Sequence, residues 1–201
     1  MNYSTDSYAA MLLCLALSAN REEYAHPLTT AEYRDLCRRA RMSAARHIGA
    51  LIGVDISDFA CECATGNARL NGLENTVRFE CANAFDYLHE AQDKHEQFDV
   101  VILDPPAFNK TRSAVEGALR GYKEINLRGM KLVKDGGFLV TCSCSQHVTP
   151  DLFHKMILDA QKDARVQLRQ IEWRTQGKDH PILPAAHETQ YLKCGIYQVF
   201  K

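Results

Sequence analysis

The segment from Phe98 to Phe108, FDVVILDPPAF, constrains the fold most, because an apolar run ends there at two consecutive prolines. A continuous β-branched run of this kind is typical of a buried strand in a parallel sheet. Proline lacks a backbone N–H and fits neither a helix interior nor a sheet ladder, so the strand has to end near Asp104. The sequence therefore predicts Asp104 at the carboxyl edge of a sheet, where open α/β sheets bind ligands. Taken alone, the segment is also compatible with a core strand and a tight turn.

Short apolar runs alternate with helical segments from Leu51 onward. Strands are predicted over residues 51–56, 76–83, 98–106, 137–145, 166–174 and 191–200, and helices over 58–73, 84–91, 113–133 and 149–164. Asn71-Gly72 is expected to close the first of these helices, and Asp135-Gly136-Gly137 to form a turn before the fourth strand. Strands separated by helices specify βαβ units. We expect an α/β fold with a Rossmann-like, doubly wound, mostly parallel sheet over 51–201, after an atypical helical segment over 1–50.

The composition of the 201 residues is that of an ordinary globular protein, with 46% hydrophobic and 24% charged residues. The formal net charge is -1, so a polyanionic partner would have to be held by a local basic patch. Five arginines in the second helical segment before residue 50 form the densest basic cluster: Arg34, Arg38, Arg39, Arg41 and Arg46. Two interpretations of this cluster stay open, a solvated helix face and a contact with RNA phosphates.

The eight cysteines indicate reduced thiols rather than a disulfide framework, because the chain is large and several of them lie in apolar runs. Two C-x-C pairs, Cys61/Cys63 and Cys142/Cys144, lack the spacing of a zinc site, so we expect no metal. The apolar stretch from Tyr8 to Ala19 is preceded by no Lys or Arg and is too short to cross a bilayer. A buried helix is expected there rather than a signal peptide, and the protein is expected to be cytoplasmic.

Two short polar side chains, Asp55 and Asn83, each stand at the end of a predicted strand. Successive strand ends of a parallel sheet line one crevice, where a carboxylate and an amide can bind a ribose diol and an adenine edge. For either residue alone, a helix N-cap is the competing explanation. Together with Asp104 they favour a nucleotide-like cofactor. The candidate cofactor-binding residues are Asp55, Ile56, Asn83, Ala84, Asp104 and Pro105.

The predicted strand that ends in VTCSCS, residues 140–145, brings two thiols to a sheet edge. Amide dipoles at the start of a following helix favour a thiolate, which is how a soft nucleophile is prepared. Thr149 and Pro150 are expected as the N-cap and first residue of that helix. The alternative for these cysteines is a small buried hydrophobic side chain. Because alternate residues of a strand share a face, Cys142 and Cys144 are expected on the same face.

Seven segments carry a family resemblance when they are taken together. They are VDIS (54–57), NGLEN (71–75), FDVVILDPPAF (98–108), RGYKEIN (120–126), GGFLVTCSCS (136–145), DHP (179–181) and YLKCG (191–195). This set resembles the catalytic domain of class I S-adenosylmethionine-dependent methyltransferases. More narrowly, it resembles the branch that makes 5-methylcytosine in large-subunit ribosomal RNA. DPP also occurs in amino-group methyltransferases, which stay as the alternative enzyme class.

The resemblance implies a mechanism. Cys144, with Cys142 as the second candidate, would be the nucleophile that adds to C6 of a cytosine. Asp104 would hold and help protonate the ring nitrogen. The cofactor would be S-adenosylmethionine, and the partner would be an RNA, with ribosomal RNA expected. A paired target base would have to leave its stack to reach the site. The candidate RNA-binding residues are Lys110, Arg112, Arg120, Lys123 and His180, for which a solvated surface or a structural hydrogen bond is the alternative.

The segment before Asp55 departs from the family. Family members have there a strand with an acidic residue and a glycine-rich turn, whereas this chain has RDLCRRARMSAARHIGA (34–50) with Gly49 as its one glycine. No segment matches the family's amino-terminal RNA-binding domain. Three explanations stay open: a truncated member that has lost the first sheet strand and binds the cofactor poorly, a paralogue that uses its helical start differently, or an active enzyme with an unusual loop. The non-enzyme alternative is a catalytically lapsed RNA-binding module. Loss of a central strand would leave ladder groups unpaired, and we would then expect instability or a homodimer.

Overall fold

The computed structural model describes residues 50–108, 114–177 and 180–201. The strands in these ranges are β1 (Leu51–Asp55), β2 (Val77–Cys81), β3 (Phe98–Leu103), β4 (Val133–Ser143), β5 (Gln167–Arg174) and β6 (Lys193–Phe200). The α-helices are α1 (Asp58–Leu70), α2 (Ala84–Asp93), α3 (Val115–Leu132) and α4 (Pro150–Ala164), and a 3-10 turn spans His187–Thr189. Each strand and helix predicted after residue 50 is present, with bounds shifted by a few residues. The helical segments predicted before residue 50 lie outside the described ranges.

The chain divides into two compact units, Met1–Tyr87 and Leu88–Lys201. In the described part of the first unit, β1 and β2 pair in parallel, and Asp55 at the end of β1 lies opposite Cys81 at the end of β2. Helix α1 makes the connection between the two strands. This unit therefore contains the predicted strand–helix–strand arrangement with both carboxyl ends at one edge.

Helix α1 has local signals at both ends. The Ser57 hydroxyl caps its start by accepting a hydrogen bond from the Ala60 backbone N–H at 3.3 Å. The helix ends at Asn71, and Gly72 follows with a φ of +66°. Glycine adopts this left-handed conformation without strain, which is why Asn71-Gly72 correctly predicted the end of the helix.

The second unit contains a four-stranded sheet with the order β3-β4-β6-β5. Strands β3 and β4 are parallel, while β6 is antiparallel to both of its neighbours, β4 and β5. Three of the four strands therefore run in one direction. With the parallel pair of the first unit, this confirms the expected α/β fold with mostly parallel strands.

The core of the second unit lies between this sheet and the two helices α3 and α4. A Cβ atom added to Gly129 of α3 would lie 2.9 Å from the Leu103 side chain of β3, so the glycine permits close helix–sheet packing. The rings of Tyr122 and Phe153 meet edge to face with centroids 5.7 Å apart, and Trp173 of β5 lies 6.2 Å from Phe153. Tyr122 and Phe153 are both fully buried. Aromatic packing thus joins α3, α4 and the sheet.

The prediction of a turn before β4 at Asp135-Gly136-Gly137 was wrong about its place, since these residues lie within β4. The β3–β4 register shifts there, because Phe98 pairs with Val133 and Val100 with Phe138. Gly136 has a φ of +78°, and a Cβ atom on Gly137 would lie 2.7 Å from the Asp99 carbonyl oxygen. The two glycines therefore form an irregularity inside a strand, a feature that resembles a turn in sequence.

No helix in the described ranges is both long and apolar enough to cross a membrane.

Gly137→Ala should destabilise the protein by about 2 kcal/mol, because the new methyl group would press against a backbone oxygen that cannot move easily. Gly117→Ala is the matched control in α3 of the same unit, where the nearest atom is an arginine side-chain nitrogen 3.8 Å from the added Cβ. The control should leave stability unchanged or slightly higher. Urea unfolding of both variants and of the unsubstituted protein measures the differences in the free energy of unfolding. Equal midpoints for Gly137→Ala and the unsubstituted protein would contradict this account of the irregularity.

Candidate active site

The structure brings Asp55 and Asn83 together at one edge of the first unit. The backbone N–H of Ala82 donates a hydrogen bond to the Asp55 carbonyl at 2.9 Å, so the ends of β1 and β2 lie side by side. The Asp55 side chain accepts from the Ser57 N–H at 2.8 Å, and the Asn83 side-chain oxygen accepts from the Phe85 N–H at 2.9 Å. The capping explanation thus holds for Asn83, which precedes α2. Each residue also has a second polar atom, Asp55 Oδ2 or Asn83 Nδ2, with which it can bind a ligand.

The two residues next in sequence are also at the surface. Ile56 has 73% of its surface exposed, and Ala84 is exposed as the first residue of α2. An exposed isoleucine beside a carboxylate offers an apolar surface on which a flat heterocycle can pack. These four residues form the candidate cofactor edge, which we define as Asp55, Ile56, Asn83 and Ala84.

A separate groove of about 430 Å³ lies between α1 and β2. It is lined by Asp58, Cys61, Glu62, Thr65, Gly66, Arg69, Phe79 and Cys81, and includes none of the candidate cofactor edge. A hydrogen bond to Asp58 is the main cause that raises the pKa of the Cys81 thiol to about 11, and desolvation adds to it. Cys81 is therefore held as a thiol and is a poor nucleophile at neutral pH.

In the second unit, Asp104 and the cysteine strand meet at the ends of β3 and β4. Leu103 pairs with Thr141 in parallel, so the next residues along the two strands, Asp104 and Cys142, are neighbours at the same edge. Asp104 is exposed and Pro105 is half-buried. The sequence predicted both features of this edge, the strand that stops at DPP and the adjacent strand that ends in thiols.

The two candidate nucleophiles have different surroundings. Cys142 lies within β4 directly opposite Cys194 of β6, and a hydrogen bond from Cys142 lowers the pKa of the Cys194 thiol, with Arg174 adding to the effect. Strand β4 ends at Ser143, so Cys144 follows the strand and the alternation of faces does not extend to it. A charge on Cys144 would act on Lys193 and Tyr122, but as a smaller contribution than burial, which lowers the pKa of Lys193 and raises that of Tyr122.

Two buried residues near Cys144 were not predicted as part of the site. Lys193 is 1% exposed, and its ammonium donates hydrogen bonds to the carbonyl oxygens of Ser145 at 2.5 Å and Tyr191 at 2.8 Å. Burial lowers its pKa to about 8. Tyr122 has no exposed surface, and its hydroxyl lies near the Ser143 hydroxyl but forms no hydrogen bond of normal geometry. Burial raises the pKa of Tyr122, so its hydroxyl stays neutral. The only sequence signal for either residue was its place in a family motif.

The candidate RNA-binding residues are dispersed. Lys123 forms an ion pair with Asp163 at 2.6 Å, and this hydrogen bond raises the lysine pKa. Arg120 is exposed on α3, and His180 is exposed with its ring centroid 6.4 Å from that of Tyr191. Lys110 and Arg112 lie outside the described residues, as does Asp179 of the DHP motif. Of this set, Arg120 is an exposed cation on a described helix and forms no ion pair with a carboxylate of the described residues.

Within the described ranges, no group of three or more His, Cys, Asp or Glu side chains is placed to hold a metal ion. All six cysteines in those ranges carry free thiols.

Comparison with known proteins places this arrangement in a family. Residues 35–187 match a family model described as a methyltransferase domain. The chain belongs to this methyltransferase domain family. A ribosomal RNA large subunit methyltransferase I of Shewanella denitrificans is 42% identical over 148 residues, which cover 73% of this chain and 37% of the relative. A protein of the same name from Tolumonas auensis is 43% identical over 144 residues, with coverages of 71% and 36%. The chain thus spans little more than a third of the length of these curated relatives.

Solved structures share the fold of this methyltransferase domain at low sequence identity. A Streptococcus mutans protein described as a SAM-dependent methyltransferase matches with a TM-score of 0.67 and 17% identity, covering 83% of this chain and 42% of that chain. An O-methyltransferase from Bacillus cereus, solved in complex with SAH, matches with a TM-score of 0.52 and 14% identity, covering 100% and 92%. These matches agree with the α/β architecture found here and concern the fold alone.

The thiol of Cys81 should react with iodoacetamide at pH 8 far more slowly than that of Cys63, although both residues are exposed. A pKa of about 11 in place of 9.0 leaves roughly a hundredfold less thiolate. Peptide mass spectrometry after timed alkylation measures both rates in one sample. In Asp58→Asn the Cys81 rate should rise towards that of Cys63. Equal rates in the unsubstituted protein would contradict the hydrogen bond to Asp58.

Proposed function

We propose that this chain is the catalytic domain of an S-adenosylmethionine-dependent methyltransferase that acts on cytosine C5 in large-subunit ribosomal RNA, with Cys144 as the nucleophile. The observation that carries the proposal is the placement of Asp104 and the Cys142-to-Cys144 segment at neighbouring ends of two parallel strands. An acid and a thiol side by side are the two groups that covalent activation of a pyrimidine ring needs. The relatives are named as methyltransferases of large-subunit ribosomal RNA, which supports the choice of substrate.

The residues of the candidate cofactor edge fit a nucleoside. Asp55 Oδ2 can accept hydrogen bonds from a ribose diol, and Asn83 Nδ2 can donate to an adenine ring nitrogen. The apolar side chain of Ile56 can pack against the adenine face. S-adenosylmethionine, when bound, would supply a methyl group on a positively charged sulfur.

The chemical steps at Asp104 and Cys144 follow from their functional groups. The Cys144 thiolate would form a bond to C6 of the cytosine while Asp104 passes a proton to the ring nitrogen N3 as electron density moves into the ring. C5 would then be nucleophilic and would take the methyl group from the cofactor's positively charged sulfur, whose bond to that carbon breaks. A base would remove the proton from C5, the Cys144–C6 bond would break, and the return of the N3 proton to Asp104 would regenerate the thiolate, the acid and the aromatic ring. The thiol is unchanged after one turnover, as a catalyst must be.

The target cytosine must leave its stack to reach the side chains of Asp104 and Cys144. The free-energy cost of this step is lower for an unpaired or loop cytosine. Arg120 is the proposed phosphate contact. Lys123 could contribute only if its ion pair with Asp163 opened. We place the activity in the cytoplasm, where glutathione keeps thiols reduced.

Replacing Cys144 by Ser should lower methyl transfer to ribosomal RNA by roughly a thousandfold, because a serine hydroxyl is a much weaker nucleophile. Cys142→Ser is the matched control, two residues away, and should retain most of the activity. Transfer of a labelled methyl group into purified large-subunit RNA, followed by nucleoside analysis, measures both variants. Full activity of both Cys144→Ser and Cys142→Ser would exclude the covalent route and favour an amino-group methyltransferase. Loss of activity in Cys142→Ser with a normal Cys144→Ser would assign the role to Cys142.

Asp55→Asn should weaken the binding of S-adenosylhomocysteine roughly tenfold, since a charged acceptor of the ribose diol becomes a neutral one. Glu74→Gln, an exposed loop residue of the same unit, is the control and should bind as the unsubstituted protein does. Isothermal titration calorimetry measures the three affinities. No binding by the unsubstituted chain at millimolar ligand would argue for an RNA-binding module without catalysis.

A further inference from the structure

Cys142 of β4 and Cys194 of β6 lie directly opposite each other in the antiparallel ladder of these two strands. Residues that face each other in such a ladder have their side chains on the same face of the sheet. Their Cα atoms are about 4.5–5.5 Å apart, and disulfides join residues whose Cα atoms are about 4.4–6.8 Å apart. The register therefore places the two thiols where a disulfide requires no large movement of either strand.

The two thiols already interact in the reduced protein. Both cysteines are reduced and half-buried, so a small oxidant can reach them from solvent. A hydrogen bond between the Cys142 and Cys194 side chains is the main cause that lowers the pKa of the Cys194 thiol. The pair thus combines contact between its sulfur atoms with access from outside.

A positive charge lies beside one member of the pair. Arg174 of β5 is directly opposite Cys194 in the ladder of β5 and β6. One terminal nitrogen of its guanidinium pairs with Glu172 at 2.6 Å, whereas its buried Nε has no hydrogen-bond partner among the described residues. A guanidinium next to a cysteine favours the thiolate. Cys194 is therefore the member of the pair that should attack an oxidant.

Contact between two thiols is not sufficient for such chemistry, as a second pair in the first unit shows. Cys61 also interacts with Cys81, but a hydrogen bond to Asp58 is the main cause that raises the pKa of Cys81 to about 11. A thiol held in its protonated form is a poor nucleophile. The pair of Cys142 and Cys194 differs from this pair because a guanidinium, and no carboxylate, is its neighbour in the ladder.

We propose that Cys142 and Cys194 form a reversible disulfide when the protein meets a hydroperoxide. The Cys194 thiolate attacks one oxygen of hydrogen peroxide, the O–O bond breaks, and the hydroxide that leaves takes up a proton to become water. The sulfenic acid formed on Cys194 is attacked by the Cys142 sulfur, whose proton leaves with the hydroxyl group as a second water. One peroxide is reduced to two waters while two thiols are oxidised to one disulfide. A dithiol reductant reverses the reaction.

The bond would join β6 to the strand that precedes the proposed nucleophile. It would close a loop of about fifty residues between Cys142 and Cys194. Closing a loop restricts the unfolded chain, so the oxidised protein should be more stable than the reduced one. Transient disulfides that respond to oxidants are the kind that occurs in reducing compartments.

The test identifies the bond in the full chain. The reduced protein is treated with hydrogen peroxide, its remaining thiols are blocked with N-ethylmaleimide, and peptides are analysed by mass spectrometry without reduction. The main oxidised species should be a peptide pair that links Cys194 to Cys142, as fragmentation between Cys142 and Cys144 shows, and dithiothreitol should remove it. A bond from Cys194 to Cys144, a bond between two chains, or sulfinic acids with no bond as the main product would overturn the proposal.

Substitutions test the order of the steps. Cys142→Ser and Cys194→Ser should each abolish the bond, whereas Cys63→Ser, which removes an exposed thiol of α1, should keep it. Dimedone, which labels sulfenic acids, should modify Cys194 in Cys142→Ser several times more than Cys142 in Cys194→Ser. Far-UV circular dichroism confirms that each variant is folded. A folded Cys142→Ser in which Cys194 links to Cys144 as readily would overturn the claim that the ladder selects the bond.

Thermal unfolding gives an independent readout. The oxidised protein should unfold at a midpoint roughly 5–10 °C above that of the reduced protein, and peroxide should not raise the midpoint of Cys194→Ser. A lower midpoint for the linked protein would show that the bond strains the ladder and would contradict the placement of the two thiols. None of these measurements uses RNA or a methyl donor, so the proposal stands or fails separately from the proposed function.

Discussion

The parallel pairing of β3 with β4 is the constraint on which the proposed chemistry depends. The register that places Leu103 opposite Thr141 also places the two strand ends at one edge. A shift of one residue would turn every side chain of a strand to its other face. The glycine irregularity at the start of β4 and the packing of α3 through Gly129 both help to keep that register. Asp104 after β3 and Cys142 near the end of β4 are neighbours because of this register, and Cys144 follows two residues later.

The antiparallel strand β6 brings further polar side chains to the end of β4, beside the parallel pair of β3 and β4. It brings Lys193 opposite Ser143 and Cys194 opposite Cys142, so Cys142 is paired with a second thiol. Cys144 instead lies beyond the end of β4 and is half-buried. The choice of Cys144 over Cys142 rests on the family resemblance.

Sequence reasoning succeeded where the signal was local. The prolines after Asp104 ended β3, Thr149 capped α4 and Pro150 followed as its first residue, all as predicted. It failed where the cause lies in distant parts of the chain. Gly136 and Gly137 looked like a turn because the close approach of Gly137 to the Asp99 carbonyl oxygen arises only once β3 and β4 pair. Lys193 lies in a predicted strand, but nothing in the sequence indicated its burial, because that depends on β4 and β6 pairing across about fifty residues of sequence.

The central claim is that Cys144 bonds covalently to a cytosine, and a trapped adduct tests it most directly. Large-subunit RNA made with 5-fluorocytosine cannot lose a proton from C5 after methylation, so the enzyme should stay bound to it through the thiol. Digestion and mass spectrometry of the complex then identify the modified residue. The account predicts an RNA nucleotide on Cys144. A nucleotide on Cys142 instead, or methyl transfer to normal RNA with no adduct on either thiol, would contradict it.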